Sequence, residues 1–365
     1  MVALSSATLL TSEAGCWVGA EGSSRASTLS PDFVEAFTRL ARSLDGEAEL
    51  NLVGRRLVQS QLLRILRQRR ALDASTHAVW SAEPRVVVIV GLPRTGTTLL
   101  HHLLVSCFVT EFIPLHEALE PVVRPEADGR VDRRARAGAY LGFVDRLSPE
   151  LRLLHPMSVD GPEECDVAFQ LTGMSDWFSI AHRIPAYTRW SEAVNRTEAY
   201  ATYRRLLGRL RPRAEVLVLK SPSHLGHLGE LVETFPDSSV VWLHRPVAEV
   251  VPSFARLVRA ARAVTSSPGV HAELQSEWLP RLERRVDRSG PWLADPRVVH
   301  VHYDALVHDT DRTLSRVAWH ASLRERPGAS PPDAVRASLR SSSPVGPGVS
   351  SSRELRVAEF DPWLA

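Results

Sequence analysis

The feature that most constrains this chain is Val86-Val87-Val88-Ile89-Val90, an unbroken β-branched run closed by Gly91 and followed at once by Leu92-Pro93-Arg94-Thr95-Gly96-Thr97-Thr98. A short apolar run without polar alternation suits a strand covered on both faces, as in a parallel sheet. From Leu99 to Val105 the sequence turns helical, so the unit reads strand, glycine turn, helix. Three further apolar runs, at 216–219, 240–243 and 298–301, each lead into helical or loop sequence. Strands alternating with helices predict an α/β fold of three layers, a central parallel sheet flanked by helices.

Upstream of the first strand, Phe33, Phe37, Leu40, Leu44 and then Leu57, Leu62, Leu63, Leu66 recur at helical spacing. They predict two accessory amphipathic helices within 31–80 that cover the core. Residues 1–30, rich in Ser, Ala, Gly and Thr, read as a flexible lead-in, and 338–352, rich in Ser, Pro and Gly, as a mobile loop. The span 31–365 is expected to be a single domain with its α/β core at 84–320. A chain of 365 residues, 44% hydrophobic and 24% charged, has the apolar material for one large core.

The 44 Lys and Arg against 42 Asp and Glu leave a net charge of +2, too even for general nucleic-acid binding or a polybasic membrane anchor. Any anion site must be local. Cys16, Cys107 and Cys165 are odd in number and far apart, which fits neither a disulfide framework nor metal spacing and points to a reducing cytoplasm. The first 30 residues lack the basic start and long apolar run of a signal peptide, and no stretch approaches the ~20 apolar residues of an integral membrane segment. High Arg, Ala and Pro usage points to a GC-rich bacterial source.

Gly91 to Thr98 has the G-x-x-x-x-G spacing of a phosphate loop, in the strand-to-helix context such a loop needs, and so makes the fold P-loop-like. Backbone N–H groups and the positive end of the following helix can converge on an anion there, with the Thr97 and Thr98 hydroxyls beside them. A triphosphate loop places Lys directly after the second Gly. Here that position is Thr97, and the cation is Arg94, inside the loop. This departure suits a donor with one phosphate next to a transferring sulfuryl group.

A second anion segment follows the third strand. In His244-Arg245-Pro246-Val247-Ala248-Glu249-Val250-Val251-Pro252-Ser253, Arg245 is expected to end the strand, with Ser253 about two helical turns later. With a helix beginning near Val247, its first turn and Arg245 lie at the carboxyl edge of the sheet, where open α/β folds bind ligands. The arginine fork and the serine hydroxyl could read a second phosphate, the 3′-phosphate that distinguishes 3′-phosphoadenosine 5′-phosphosulfate (PAPS) from ATP.

The two segments together resemble the PAPS-dependent sulfotransferases, and most closely bacterial members whose loop reads Gly-Leu-Pro-Arg-Thr-Gly-Thr-Thr. The likeness runs from about Phe33 to Asp311 and takes in Leu219-Lys220-Ser221-Pro222-Ser223-His224-Leu225, Phe235-Pro236-Asp237 and His302-Tyr303-Asp304-Ala305-Leu306-Val307. The tail departs: Val357-Ala358-Glu359-Phe360-Asp361-Pro362 stands where such proteins carry a Tyr-x-x-x-x-Phe-Gly-Leu-like segment.

The resemblance implies in-line sulfuryl transfer from PAPS, with 3′-phosphoadenosine 5′-phosphate (PAP) as product and no metal. Its cofactor-binding set is Arg94, Thr95, Gly96, Thr97, Thr98, Leu99, Arg245 and Ser253. Arg94 would stabilise charge on the departing 5′-phosphate, and Lys220, at the end of a strand, would be a second cation. For Lys220 a snorkelling surface role stands beside this one. An acceptor must lose a proton, and Glu117, just beyond the loop's helix, resembles the glutamate of family members that use a carboxylate base. His155 is the alternative base. His116, His224 and His227 show no convincing metal-ligand spacing.

Trp177, Phe178, Tyr187 and Trp190 either line an apolar acceptor pocket or pack accessory helices. The expected partner is a small-molecule acceptor, with a metabolite or glycolipid favoured, and the oligomeric state is left open. The rival reading is a magnesium-dependent P-loop kinase or NTPase. Against it stand the missing loop lysine and the cationic His244-Arg245 where a magnesium-holding Asp is expected.

Overall fold

The predicted strand, turn and helix form β1 (Arg85–Gly91) and the helix Thr97–Cys107. The computed structural model describes residues 29–75, 80–122, 133–266, 274–329, 331 and 335. The expected mobile loop at 338–352, the departing tail and all but the last two residues of the expected lead-in lie outside them. The chain divides into two compact units, one with residues 1–82, 113–213 and 257–274, the other with 83–112, 214–256 and 275–365.

The second unit holds the sheet. β2 (Val216–Lys220), β3 (Ser239–His244) and β4 (Val298–His302) join β1 in the order β2-β1-β3-β4, every pair parallel. β1 is buried along its length except at Arg85, which is why it carries β-branched residues on both faces. On one face Val87, Ile89, Val218, Val241 and Val301 pack with Leu100, Leu103 and Leu104 of the helix Thr97–Cys107 and with Val317 of the helix Thr310–His320. Val86, Val88 and Val90, on the other face of the strand, are equally buried. The layered α/β architecture read from the sequence is the one found. β3 stops one residue short of Arg245, where Pro246 fixes φ and removes a ladder donor.

The first unit is helical. The helix Pro31–Gly46 opens on a Ser30 cap whose hydroxyl accepts from the Phe33 amide, and Leu52–Ala74 opens on Asn51, which accepts from Gly54. The predicted apolar stripe is present: Phe33, Phe37, Leu40 and Leu44 are buried with Leu62, Ile65 and Leu66. These helices were expected to cover the core of the sheet. Within their own unit they bury their stripe against Phe178, Ile184 and Tyr187, with Trp190 at the margin.

Candidate functional site

Three cations leave the carboxyl ends of three adjacent strands. Arg94 follows β1 by three residues, Lys220 is the last residue of β2, and Arg245 directly follows β3. Because the chain passes from β1 to β2 on one side and then to β3 on the other, these ends flank a topological switch point, where α/β sheets open a ligand crevice.

Local backbone geometry makes the loop. Gly91 approaches β3 so closely that a Cβ there would lie 2.6 Å from the Leu243 carbonyl oxygen. Arg94 takes a left-handed φ of 71°, rare for a side-chain-bearing residue and typical of functional turns. The Thr95 hydroxyl closes the turn by donating to the Leu92 carbonyl at 2.7 Å, so it serves the loop's shape. Gly96, at φ 93°, precedes Thr97 as a cap without a side-chain hydrogen bond, which leaves the first-turn N–H groups of Thr97, Thr98 and Leu99 without a side-chain cap.

The second segment meets the first. Arg94 Nε donates to Ser253 Oγ at 3.1 Å, and Arg245 Nη1 donates to the Arg94 carbonyl at 3.2 Å. Arg245 is further fixed by Glu249 at 2.8 Å and by the ring of Tyr303, whose centroid lies 4.2 Å from its guanidinium carbon. Lys220 is 1% exposed, which rules out the snorkelling surface role, and its Nζ reaches Thr98 Oγ1 at 3.2 Å. Within the second unit, Arg94, Arg245 and Ser253 are thus bonded to one another, and Lys220 is bonded to Thr98 in the first turn of the loop's helix. Two arginines, a buried lysine, hydroxyl donors and a helix end without a side-chain cap are chemically suited to an anion with more than one phosphate-like group.

Sequence reasoning gave no role to several neighbours. Tyr303 touches both segments, since a Cβ on Gly96 would lie 2.7 Å from its ring. Its position right after β4, in register with β3, is the signal that could have found it. His244 is half-buried beside His300 at 2.8 Å and near His302, and desolvation followed by those two neighbours pushes its pKa down to about 3.

The two candidate bases belong to the first unit. Glu117 lies on the short helix Leu115–Leu119 and pairs with Arg211 Nη1 at 2.7 Å, with Arg133 Nη2 at 3.9 Å. It is not the solvated helix-start glutamate its position alone would suggest. His155 caps the helix Pro149–Leu154, approaches Glu163 at 3.8 Å and stacks on Trp177 at 6.3 Å. Of the aromatic group, Phe178 and Tyr187 are core residues with Trp190 packed beside them. Trp177 lines a cavity. Among the described residues no group of His, Cys, Asp and Glu is suited to a metal ion, and no helix is long and apolar enough to cross a membrane.

A sequence profile of the Sulfotransferase family matches residues 84–326. Omega-hydroxy-beta-dihydromenaquinone-9 sulfotransferase Stf3 from Mycobacterium bovis and from Mycobacterium tuberculosis is 26% identical over 263 residues, which make up 65% of this chain and 62% of the relative. The chain thus spans less than two thirds of the length of these curated relatives. Among solved structures, sulfotransferase STF1 of M. tuberculosis has a TM-score of 0.64 at 24% identity, covering 86% of this chain and 87% of that one. Sulfotransferase STF9 of Mycobacterium avium has a TM-score of 0.65 at 19% identity, covering 85% and 82%. These two likenesses show the fold. The family profile spans all four strands and both anion segments, and the chain belongs to the sulfotransferase family.

Proposed function

We propose that this protein transfers a sulfuryl group from PAPS to a hydroxyl or amine of a small-molecule acceptor, with a metabolite or glycolipid as the acceptor class. The observation that carries this reading is the junction of the two anion segments, Arg94 to Ser253 at 3.1 Å and Arg245 to the Arg94 carbonyl at 3.2 Å. A loop with its cation at Arg94, tied to a second cation and hydroxyl, suits a nucleotide that carries anionic groups at both its 5′ and 3′ positions. When bound, such a donor supplies an activated sulfuryl group next to its 5′-phosphate.

The residues divide the work. Arg94, with the backbone amides of Thr95, Gly96, Thr97, Thr98 and Leu99, holds the 5′ end and neutralises charge on the leaving phosphate. Arg245 and Ser253 hold the 3′-phosphate. Lys220, set by Thr98, adds a second positive charge at the strand ends. Glu117 accepts the acceptor proton, its carboxylate oriented by Arg211, and His155 is the second candidate for that step. Charge neutralisation is assigned to these side chains, with no metal. The curated relatives are named for a hydroxyl-bearing acceptor, which supports an oxygen nucleophile here. A cytoplasmic setting is the reading that three widely spaced cysteines support.

Calorimetric titration of the protein with PAP, and separately with ATP and magnesium, tests the donor assignment. Preference for PAP is the expected result. Tight ATP binding with no response to PAP would overturn the reading in favour of the kinase class.

A further inference from the structure

The first unit contains a cavity of about 190 Å³ that the donor reading does not use. Its wall is apolar: Leu57, Val58, Val144, Leu151, Ala261 and Val264 line it, joined by the rings of Tyr140 and Trp177. Val58, Val144, Leu151 and Ala261 are each less than a tenth exposed, so the wall is built from core residues.

The polar groups of the lining are largely satisfied by one another. Arg64 donates to Gln170 Oε1 and to the Leu119 carbonyl, both at 2.5 Å, and Glu120 pairs with Arg136 at 3.0 Å. A polar guest would gain little from groups already bonded, whereas an apolar one gains the full burial of its surface. Arg136 is 59% exposed and Tyr140 40% exposed, so this side of the cavity is its mouth.

Both candidate bases touch the lining, and the His155 amide also donates to the carbonyl of the lining residue Leu151 at 2.8 Å. Arg133 lines the cavity and lies 3.9 Å from Glu117, and Trp177 lines it and stacks on His155. Size then limits the guest. An apolar cavity of about 150 Å³ accommodates benzene, so this one takes a single ring or a short branched chain, not a long tail.

We infer that this cavity is the acceptor pocket and that the acceptor is an alcohol or phenol carrying a compact apolar group, a ring or an isoprenoid end, at the hydroxyl-bearing end of the molecule. The inference rests on the proposed sulfuryl transfer for the acceptor's role. In that step the acceptor oxygen forms its bond to sulfur, the bond from sulfur to the bridging oxygen of PAPS breaks, the hydroxyl proton passes to the base, and PAP leaves with the bond's electron pair.

The test uses the whole protein and three probes: geraniol, a branched unsaturated primary alcohol; D-glucose, a polar polyol; and PAP. Calorimetry reads binding to the wild type and to two variants that fill the cavity from different helices, Val144→Phe and Ala261→Leu, with thermal melting to show which of them fold. The expected result is saturable geraniol binding, none for glucose, and at least tenfold weaker geraniol binding in a folded filling variant whose PAP affinity is unchanged. The inference is overturned if geraniol does not saturate the wild type, if glucose binds equally well, or if a folded filling variant binds geraniol as the wild type does. Geraniol binding without PAP binding would sink the donor reading and leave the ligand class of the cavity standing.

Discussion

Arg94 Nε and Ser253 Oγ are 159 residues apart in the chain and 3.1 Å apart in space. Through this contact the loop after β1 and the helix after β3 become one anion site. Removing the guanidinium deletes a charged donor, worth about 1.5–3 kcal/mol when it bonds an anion. Arg94→Ala should therefore weaken PAP binding by roughly 10- to 100-fold. Ser253→Ala, which deletes a neutral hydroxyl, should weaken it by only about 3- to 10-fold. Calorimetry with PAP reads both, and equal losses in the two variants would refute the ranking.

Gly96 and Tyr303 make the loop sensitive to a single methyl group. A Cβ at Gly96 would sit 2.7 Å from the Tyr303 ring, and φ is 93°. Gly96→Ala should cost about 1–3 kcal/mol from the backbone strain alone, with the clash added. Tyr303→Ala should recover the clash but not the strain. A double-mutant cycle followed by denaturant melts measures this, and strict additivity would contradict the contact.

Lys220 is nearly sealed from water, and a buried ammonium is costly to fold around. Lys220→Met keeps the length and removes the charge. The expected outcome is a protein at least as stable as the wild type that transfers sulfuryl groups about 100-fold more slowly or worse. Thermal melting and single-turnover transfer from PAPS check the two halves. Lost stability with unchanged turnover would make Lys220 a structural residue.

Acid sensitivity follows from two histidines, His182 fully buried and His244 half-buried. His182 is held near pKa 3 by burial and then by Arg262, and His244 near 3 by burial and then by His300 and His302. Both values lie below the ordinary 6.5, so the unfolded chain takes up protons that the folded protein refuses. Their contribution to stability is complete above pH 6.5 and is lost as pH falls from there toward 3. Between pH 6.5 and 5 the loss should be about 1.6 kcal/mol for each histidine. Urea melts across that range read the slope, and His182→Gln should flatten it; an unchanged slope would remove His182 from the account.

The sheet was legible because β1, β2 and β3 are short apolar runs with little polar interruption, and burial on both faces leaves no alternation to misread, while β4, half-exposed and carrying His300 and His302, was legible from its three valines alone. The loop was legible because glycine spacing and Arg94 are local features. Strand order was not, since β1 pairs with both β2 and β3 through contacts about 130–150 residues apart that no local pattern encodes. The same limit hid the partner of Glu117. Arg211 ends a helix 94 positions downstream, and nothing in its neighbours marks it as the cation that holds the carboxylate.

That pair gives the sharpest test of the proton acceptor. Glu117→Gln keeps size and hydrogen-bonding capacity but cannot take a proton, so transfer should slow by about 10²–10⁴-fold while PAP binding is unchanged. Arg211→Met leaves the carboxylate in place but removes its 2.7 Å partner, which frees it to rotate. If Arg211 is a positioning residue, this variant should show a smaller loss than Glu117→Gln and an altered pH–rate profile, because the base remains while its environment changes. A structural role for the pair predicts something else: both variants would lower the melting temperature in parallel and leave the profile's shape alone. If Glu117→Gln is fully active and His155→Gln is not, the proton goes to the imidazole stacked on Trp177, and the acceptor hydroxyl is held at that side of the cavity.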